Sequence, residues 1–319
     1  MSKKQKPTKD EHFVPQVYLK GFSPDNKLIY KCRTTDFFTP PEAVTIRSVC
    51  SEKYLYELKN DKGELVWPNY LEKILSNIEK LFGKHMKQLN SKAFIPSNYK
   101  SLYFFTKEEK YFWKSYISIQ MMRMPQMIRM VEEEIVKQHG DVFPDNVLHA
   151  MALGECLPFF KNDKDFNYLI FDLRKVLESM TIALGVDESE SIFTSDSPVF
   201  TQAPDYDMGK LERVEFPLSS KLVLFLFGGK LKNEYRKNSL FPLNAEEISW
   251  IQRDVACAAE EWVYLKHPIT NSEIKAIQEG RALRQFVLDN TDEELEAESL
   301  FEQRTTSDTT DKLLKNLSK

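Results

Sequence analysis

Hydrophobic positions in this sequence recur mainly at the three- and four-residue intervals that are typical of α-helices. Across residues 69–89 they form one continuous stripe, because positions at that spacing face the same side of a helix. The same spacing predicts further helices at 107–138, 144–154, 165–184, 245–260 and 272–287. The pattern therefore predicts a mostly helical body.

Shorter runs of β-branched and aromatic residues lie between the helical segments and are bounded by turn residues. They predict strands at 27–33, 43–49, 53–58, 65–67, 191–194, 198–201, 214–218, 222–227 and 261–266, with a turn at 37–41. The fold class predicted from helices and strands together is α+β. Its mostly helical body carries small antiparallel β elements at the N-terminus and around residues 190–228.

The polarity of the two ends predicts the domain boundaries. Residues 1–10 are polar and rich in lysine, which predicts a disordered basic leader. Residues 289–302 contain seven acidic and no basic side chains, so 289–319 is predicted to be an acidic, polar helix or tail that is partly disordered. The residues between these ends, 11–288, are expected to form a single α+β domain, because 42% apolar residues suffice for one large core.

Composition excludes several common function classes. The chain has 44 basic and 48 acidic residues, so its net charge of −4 carries no global sign of nucleic-acid binding. It has only 10 glycines, without G-x-G spacing and without G-K-[ST]. Because Rossmann and P-loop phosphate sites need glycine for close backbone approach, both are excluded. The G-x-S-x-G and H-E-x-x-H signatures of hydrolases and zinc proteases are absent as well.

Cysteine usage and hydropathy favour a cytoplasmic location. Cys32, Cys50, Cys156 and Cys257 are far apart and form no C-x-x-C pair, so we expect buried thiols in a reducing compartment. No apolar run follows the charged first residues, as a secretory signal would require. The longest strongly apolar run, 222–227, is too short to span a bilayer, so no membrane contact is expected.

Candidate chemistry begins in the helix predicted at 107–138. Residues 116–128 are apolar all round, which predicts burial. Gln120 and Arg123 share one face there, and Pro125 is expected to kink the helix and free nearby carbonyl groups. A buried guanidinium needs a carboxylate partner, because an unpaired buried charge is costly. The candidate partners are Glu72, Glu79 and Asp196.

Each candidate carboxylate has two interpretations. Glu72 and Glu79 lie seven residues apart at the edge of the apolar stripe, where they either meet a cation or form a solvated flank. Asp196 belongs to the segment Ser-Asp-Ser-Pro at 195–198. Its side chain either bonds local N–H groups in a turn or faces the polar cluster from the end of a strand.

The stretch 12–22 reads His-Phe-Val-Pro-Gln-Val-Tyr-Leu-Lys-Gly-Phe. Pro15 predicts the start of a short helix, and Gly21 predicts its end in a left-handed conformation. The free N–H groups of that helix would then point toward His12, and an imidazole beside them suits a phosphate or a carboxylate. The alternative is a capping histidine on a segment that packs against the core.

Several of these segments, in this order, resemble a bacterial family named for its domain of unknown function 4238. The resemblance rests on the 12–22 stretch, a helix with Glu72 and Glu79, the Gln120/Arg123/Pro125 helix, Thr-Ser-Asp-x-Pro-Val at 194–199 and Phe-Pro-Leu-Ser at 216–219. One departure lies at 252–254, which reads Gln-Arg-Asp where the family tends to carry an Asn. The resemblance covers most of 12–265. It implies association with genome islands and with single-gene protection against phage, and no molecular activity.

Two functional hypotheses remain open. The first is a metal-dependent nuclease or phosphodiesterase that acts on a nucleic acid or a nucleotide. Its catalytic residues would be His12, Gln120, Arg123 and Asp196. Its metal ligands would be Glu72 and Glu79, because carboxylates bind hard cations such as Mg²⁺ or Mn²⁺. The second is a non-catalytic sensing or ligand-binding module in which the same residues form a structural network. In either case the resemblance implies an abortive-infection effector with a phage-derived trigger.

Overall fold

The computed structural model describes residues 7–36, 41–95, 98, 104–157, 169–203, 208–234 and 239–291. Most of the turn expected at 37–41, most of the basic leader and the tail beyond residue 291 fall outside these ranges. Elements are numbered below in chain order.

Helices and strands alternate irregularly along the described chain. The helices are α1 (Gln16–Leu19), α2 (Tyr70–Ala93), α3 (Lys107–Met122), α4 (Pro125–His139), α5 (Asp145–Cys156), α6 (Leu169–Ser179), α7 (Leu231–Glu234), α8 (Ala245–Ala258) and α9 (Asn271–Thr291). The strands are β1 (Asp10–His12), β2 (Leu28–Arg33), β3 (Glu42–Thr45), β4 (Ser51–Lys53), β5 (Leu58–Lys59), β6 (Leu65–Val66), β7 (Thr181–Val186), β8 (Thr194–Ser195), β9 (Phe200–Gln202), β10 (Arg213–Ser219), β11 (Leu222–Phe227), β12 (Leu240–Pro242) and β13 (Trp262–Leu265). The predicted α+β class is confirmed. Within the described ranges, no helix combines the length and the apolar character needed to cross a bilayer.

The strands form two larger sheets and two small ribbons. One sheet has the order β12-β7-β11-β10-β9, and the other has the order β3-β2-β13-β8. The ribbons are β1-β4 and β5-β6. Pairing is antiparallel except between β12 and β7, which are parallel. Strands β7 and β11 are buried along their whole length, because both are almost entirely apolar and lie inside the five-stranded sheet.

An aromatic cluster joins the N-terminal segment to α2, α3 and β10. Tyr18 stacks on Phe216 with the ring centroids 5.1 Å apart, and Phe82 lies 4.6 Å from Tyr116. These rings belong to one cluster of buried apolar side chains that includes both sheets. The N-terminal segment is therefore anchored in the core and does not lie loosely over it.

The single helix predicted at 107–138 is wrong, because two helices meet at Pro125. Helix α3 ends at Met122, and α4 begins at Pro125. Met124 is extended, at φ −70° and ψ 139°, as the residue before a proline prefers. The break places Arg123 at the C-terminal cap of α3, with its side chain directed inward.

The helix predicted at 165–184 also runs too far. Helix α6 ends at Ser179, and the apolar residues Thr181–Val186 form β7. Hydrophobic spacing alone does not separate a buried strand from a buried helix, and here pairing with β11 and β12 favours the strand. Residues 165–168 lie outside the described ranges.

The predicted strands near the N-terminus are shorter than expected. The strand predicted at 43–49 ends at Thr45 and continues as a 3₁₀ turn over Ile46–Ser48. The strand predicted at 53–58 is wrong, because β4 precedes it and pairs with β1, while only Leu58–Lys59 pair with β6.

The strands predicted at 191–194 and 198–201 begin two or three residues later, as β8 and β9.

Glycine is needed at position 21 because the backbone of Leu218 approaches it closely, and not because the chain turns there in a left-handed conformation. It lies in a 3₁₀ turn over Lys20–Phe22 and is not among the positive-φ residues. A Cβ atom at this position would lie 2.7 Å from the carbonyl oxygen of Leu218. The carbonyl oxygen of Gly21 also accepts a hydrogen bond from Ser220 N at 3.0 Å. The 12–22 stretch therefore packs its backbone directly on the β10–β11 turn.

Candidate functional site

His12 lies at the end of β1, in the ribbon that β1 forms with β4. His12 is paired with Ser51, and Phe13 N donates to the carbonyl oxygen of Cys50 at 2.9 Å. The His12 ring is half-buried, and its Nε2 donates to the carbonyl oxygen of Arg47 at 3.1 Å. The ribbon thus determines where the imidazole lies.

The guanidinium of Arg123 is 1% exposed and contacts three other parts of the chain. Its Nη2 donates to the carbonyl oxygen of His12 at 2.5 Å, and Nη1 lies 3.1 Å from Glu79 Oε1. Its Nε donates to the hydroxyl of Tyr56 at 3.4 Å, and that hydroxyl donates to the carbonyl oxygen of Arg123 at 2.8 Å. Arg123 therefore has the carboxylate partner that its burial requires, and of the three candidates this partner is Glu79.

Gln120 completes the attachment of the N-terminal strand to α3. It is 1% exposed, and its Nε2 donates to the carbonyl oxygen of Phe13 at 2.9 Å. Gln120 and Arg123 thus bind the carbonyls of two consecutive residues, Phe13 and His12. Their shared face on α3 serves to position this backbone.

An open cleft of about 720 Å³ lies beside the His12 ring. Its described lining residues are Thr8, Lys9, Asp10, His12, Gln16, Arg47, Ser48, Ser51 and Glu72. Glu72 and Thr8 also border a second depression of about 390 Å³ that contains Lys73 and Lys80. The described linings of the two depressions together hold four cations, Lys9, Arg47, Lys73 and Lys80, and two acidic side chains, Asp10 and Glu72, so this surface suits an anionic ligand.

Two side chains of the cleft, His12 and Glu72, have pKa values shifted in opposite directions. Burial lowers the pKa of His12, although the hydrogen bond to the carbonyl oxygen of Arg47 and the charge of Glu79 oppose this shift. Burial raises the pKa of Glu72, and the neighbouring Glu79 raises it further. Both shifts are toward the uncharged form of the group, which is the form that a general base and a general acid need before the reaction.

Sequence reasoning missed Glu11, which precedes His12 in β1 and is buried. Glu11 is 1% exposed, and its Oε2 accepts a hydrogen bond from Tyr56 N at 2.8 Å. Burial raises its pKa to about 8, and the charges of Glu57 and Glu72 add to this. The only signal in the sequence was strand alternation, which turns Glu11 inward if His12 faces outward.

Asp196 does not join this cluster by any hydrogen bond or ion pair of the described chain. Its carboxylate accepts hydrogen bonds from the backbone N–H groups of Glu260, Glu261 and Trp262, at 2.9, 2.9 and 3.0 Å. These contacts join β8 to the entrance of β13. Both interpretations of Asp196 are therefore wrong, because its N–H partners are neither local to the turn nor part of the polar cluster.

The arrangement of Glu72 and Glu79 does not suit a divalent cation. Glu79 is already paired with Arg123, whose positive charge opposes a second cation nearby. In the described part of the chain, no group of three or more His, Cys, Asp and Glu side chains is placed to hold a metal ion. Glu72 and Glu79 are therefore poor ligands for Mg²⁺ or Mn²⁺ in this arrangement.

Comparison with known proteins assigns the family. The sequence profile of the family described as "Protein of unknown function (DUF4238)" matches residues 11–268. Because this match covers most of the chain, the protein belongs to that family. No curated protein and no solved structure matches the chain.

Proposed function

We propose that this protein binds the phosphodiester backbone of RNA in the cleft beside His12 and cleaves it by metal-independent acid–base catalysis. The observation that carries the proposal is that His12 and Glu72 line one open cleft together with the cations of Lys9 and Arg47. In the setting that the family resemblance implies, such an activity would serve as an effector against phage in the bacterial cytoplasm.

The chemistry follows from the groups in the cleft. Neutral His12 takes the proton of a ribose 2′-hydroxyl, and the resulting oxygen attacks the adjacent phosphorus. The bond from phosphorus to the 5′-oxygen breaks, and Glu72 gives that oxygen its proton. The products are a 2′,3′-cyclic phosphate and a free 5′-hydroxyl. Lys9 and Arg47 stabilise the negative charge that builds up on the phosphate oxygens.

Rigid support of His12 favours this role. Arg123 and Gln120 hold the backbone of His12 and Phe13 from the core side, and Arg47 orients the imidazole through its carbonyl oxygen. A catalytic side chain needs such support, because small displacements of the reacting groups cost large factors in rate. Arg123 and Gln120 are accordingly positioning residues.

A non-catalytic sensing module is the second candidate. It is favoured by the hydrogen bonds of Gln120 and Arg123 to backbone carbonyls and of Asp196 to backbone N–H groups, which are structural contacts. In this case the cleft binds a phosphate-bearing ligand or a phage-derived trigger and leaves it intact. The same cations would provide the affinity, without acid–base chemistry.

Incubation of purified protein with labelled single-stranded RNA and with DNA of the same sequence tests the proposal. Each would be run in EDTA, in Mg²⁺ and in Mn²⁺. We expect RNA cleavage that persists in EDTA and leaves a cyclic phosphate, with the DNA intact because it lacks the 2′-hydroxyl. Folded His12→Ala and Glu72→Gln variants should each lose about 10²–10⁴-fold in rate. A His139→Ala control, outside the cleft, should keep the full rate.

The other outcomes separate the alternatives. Binding without cleavage under every condition would favour the sensing module. Cleavage only with Mg²⁺ or Mn²⁺ would restore the metal-dependent hypothesis. Neither binding nor cleavage would overturn the assignment of the cleft. A parallel infection assay, in cells expressing wild-type or His12→Ala protein, tests the defence role by the number of plaques.

A further inference from the structure

A separate cavity lies between the five-stranded sheet and α8. It has a volume of about 60 Å³, enough for a few water-sized groups. Its aromatic lining comes from Phe225, Phe227, Phe241 and Trp250. The rings of Phe225 and Phe227 stack at 5.6 Å, and Trp250 is 46% exposed. The cavity therefore has an aromatic wall and a tryptophan that is accessible from solvent.

A buried carboxyl group with an open hydrogen-bonding position also lines this cavity. Glu215, on β10, is 1% exposed, and its Oε2 has no hydrogen-bond partner within the described chain. Its Oε1 lies 3.3 Å from Arg213 Nε, an ion pair without hydrogen-bond geometry. Leaving a buried carboxyl oxygen unpaired is costly, so a donor from a ligand would be strongly favoured here.

The charge of Arg213 is largely compensated by another residue. Its Nη2 donates to Asp254 Oδ2 at 2.6 Å, and Asp254 is also 3.0 Å from Arg253 Nη2. Arg213 therefore directs its best hydrogen bond away from Glu215. Glu247, which also lines the cavity, adds a further carboxylate. The charge of Arg213 is thus directed mainly at Asp254, although its Nε has no hydrogen-bond partner in the described chain, and Glu215 Oε2 also has none.

We propose that this cavity binds an organic cation through an N–H-bearing head group, namely an alkylammonium or a guanidinium. Its N–H groups would donate to Glu215 Oε2, and its charge would lie against the aromatic faces, which attract cations. An anion would meet the carboxyl groups and the negative ring faces instead. The site is separate from the cleft beside His12, and the proposal does not depend on the proposed function.

Calorimetric titration of the full chain with methylguanidinium and n-propylammonium tests this inference. 1-Propanol, which is similar in size and neutral, serves as the control ligand. We expect saturable binding of both cations and none of the alcohol. Glu215→Gln should weaken binding at least about tenfold, because a charged acceptor is lost. Trp250→Ala should weaken it as well, whereas Trp67→Ala, at the same 46% exposure, should not.

The affinity should also depend on pH. Burial raises the pKa of Glu215 to about 8, Arg213 and Arg253 oppose this, and Asp254 adds to it. Glu247 faces the same cavity. Because the cation binds the ionised carboxylate, the affinity should fall by about tenfold or more between pH ~8.5 and pH ~6.5.

If 1-propanol binds as tightly as the cations, the cavity is a non-specific apolar site and the proposal is wrong. The proposal is also wrong if Glu215→Gln binds the cations as tightly as wild type, or if the wild-type protein binds neither cation. If Glu215→Gln fails to fold, the comparison of Trp250→Ala with Trp67→Ala decides. Equal affinities of those two variants would then reject the site.

Discussion

Arg123 Nη2 donates a hydrogen bond to the carbonyl oxygen of His12 over 2.5 Å, so a fully buried charge on α3 holds the strand that carries the cleft histidine. The contact is to the backbone, whereas the imidazole of His12 bonds the carbonyl oxygen of Arg47 and lines the cleft. The relation separates two tasks: Arg123 positions the strand, and His12 meets the ligand.

Replacing Arg123 should therefore destabilise the whole fold. Arg123→Ala removes the cation that pairs with Glu79 and the donor to His12, and it should lower the free energy of unfolding by about 3–5 kcal/mol. Urea denaturation measures the loss. The matched control is Arg129→Ala, whose pairing with Glu52 at 3.5 Å joins two exposed side chains and should be worth about 1 kcal/mol or less. Equal urea midpoints for the two variants would contradict the buried role of Arg123.

Asp196 should contribute to stability through three backbone hydrogen bonds. Asp196→Ala leaves the N–H groups of residues 260–262 without their acceptor in a mostly buried place, and it should cost about 2–4 kcal/mol. Asp25→Ala is the control, since Asp25 Oδ1 also accepts from two backbone N–H groups, of Lys27 and Leu28, in full contact with water. Thermal unfolding should show a large shift for the first variant and little for the second. A folded Asp196→Ala protein should still bind RNA, and loss of binding without loss of stability would show a direct role.

Two glycine substitutions should have opposite signs. Gly21→Ala places a Cβ atom 2.7 Å from the backbone oxygen of Leu218, so it should destabilise the protein by about 3 kcal/mol. Gly83→Ala in α2 meets only Val17 Cγ2 at an ordinary 3.5 Å, and it should stabilise by about 0.5–1 kcal/mol because alanine is the better helix former. Chemical denaturation of the two variants checks the signs. A neutral Gly21→Ala would mean that the 12–22 stretch does not pack on β10 as closely as described.

The buried carboxyl group of Glu11 should make stability depend on pH. Its folded pKa, raised by burial to about 8, lies above its unfolded value of 4.5. The carboxyl group must therefore ionise at high pH in the folded protein at a cost, and its contribution is fully present below the unfolded pKa and lost as pH rises through the folded pKa. Glu11→Gln cannot ionise, so its stability should match wild type near pH ~4 and exceed it near pH ~9. The measurement is the free energy of unfolding at both pH values. Parallel pH profiles for the two proteins would exclude Glu11 as the titrating group.

The proposed RNA cleavage should have a bell-shaped pH profile with its optimum on the acidic side of neutrality. His12 must be neutral, so activity rises through its lowered pKa, and Glu72 must be protonated, so activity falls through its raised pKa. The ordinary pKa is 6.5 for His12 and 4.5 for Glu72, so lowering the first and raising the second brings the two pKa values closer together. Initial rates measured across this range test the assignment. Glu72→Gln should abolish the alkaline limb in any residual activity, and an unchanged limb would assign the acid to another group.

Local patterns in the sequence predicted much of the helical structure. The apolar stripe at 69–89 corresponds to α2, and the helix predicted at 245–260 corresponds to α8, which Asn244 and Glu247 cap. The need of Arg123 for a carboxylate followed from the apolar surroundings of its helix, and Glu79 provides it. These features depend on neighbours within one or two helical turns, which a sequence displays directly.

Contacts between distant segments decided the rest. The sequence by itself determined the α+β class, the helix stripes and the Gln120/Arg123 pair, because periodicity and burial cost act locally. Only the tertiary structure decided that Thr181–Val186 is a strand, that Arg123 and Gln120 hold the carbonyls of residues 12 and 13, and that Asp196 binds N–H groups more than sixty residues away. The physical reason is that a backbone carbonyl or N–H group is present at nearly every position, so no residue type marks in advance which of them a distant side chain will bind.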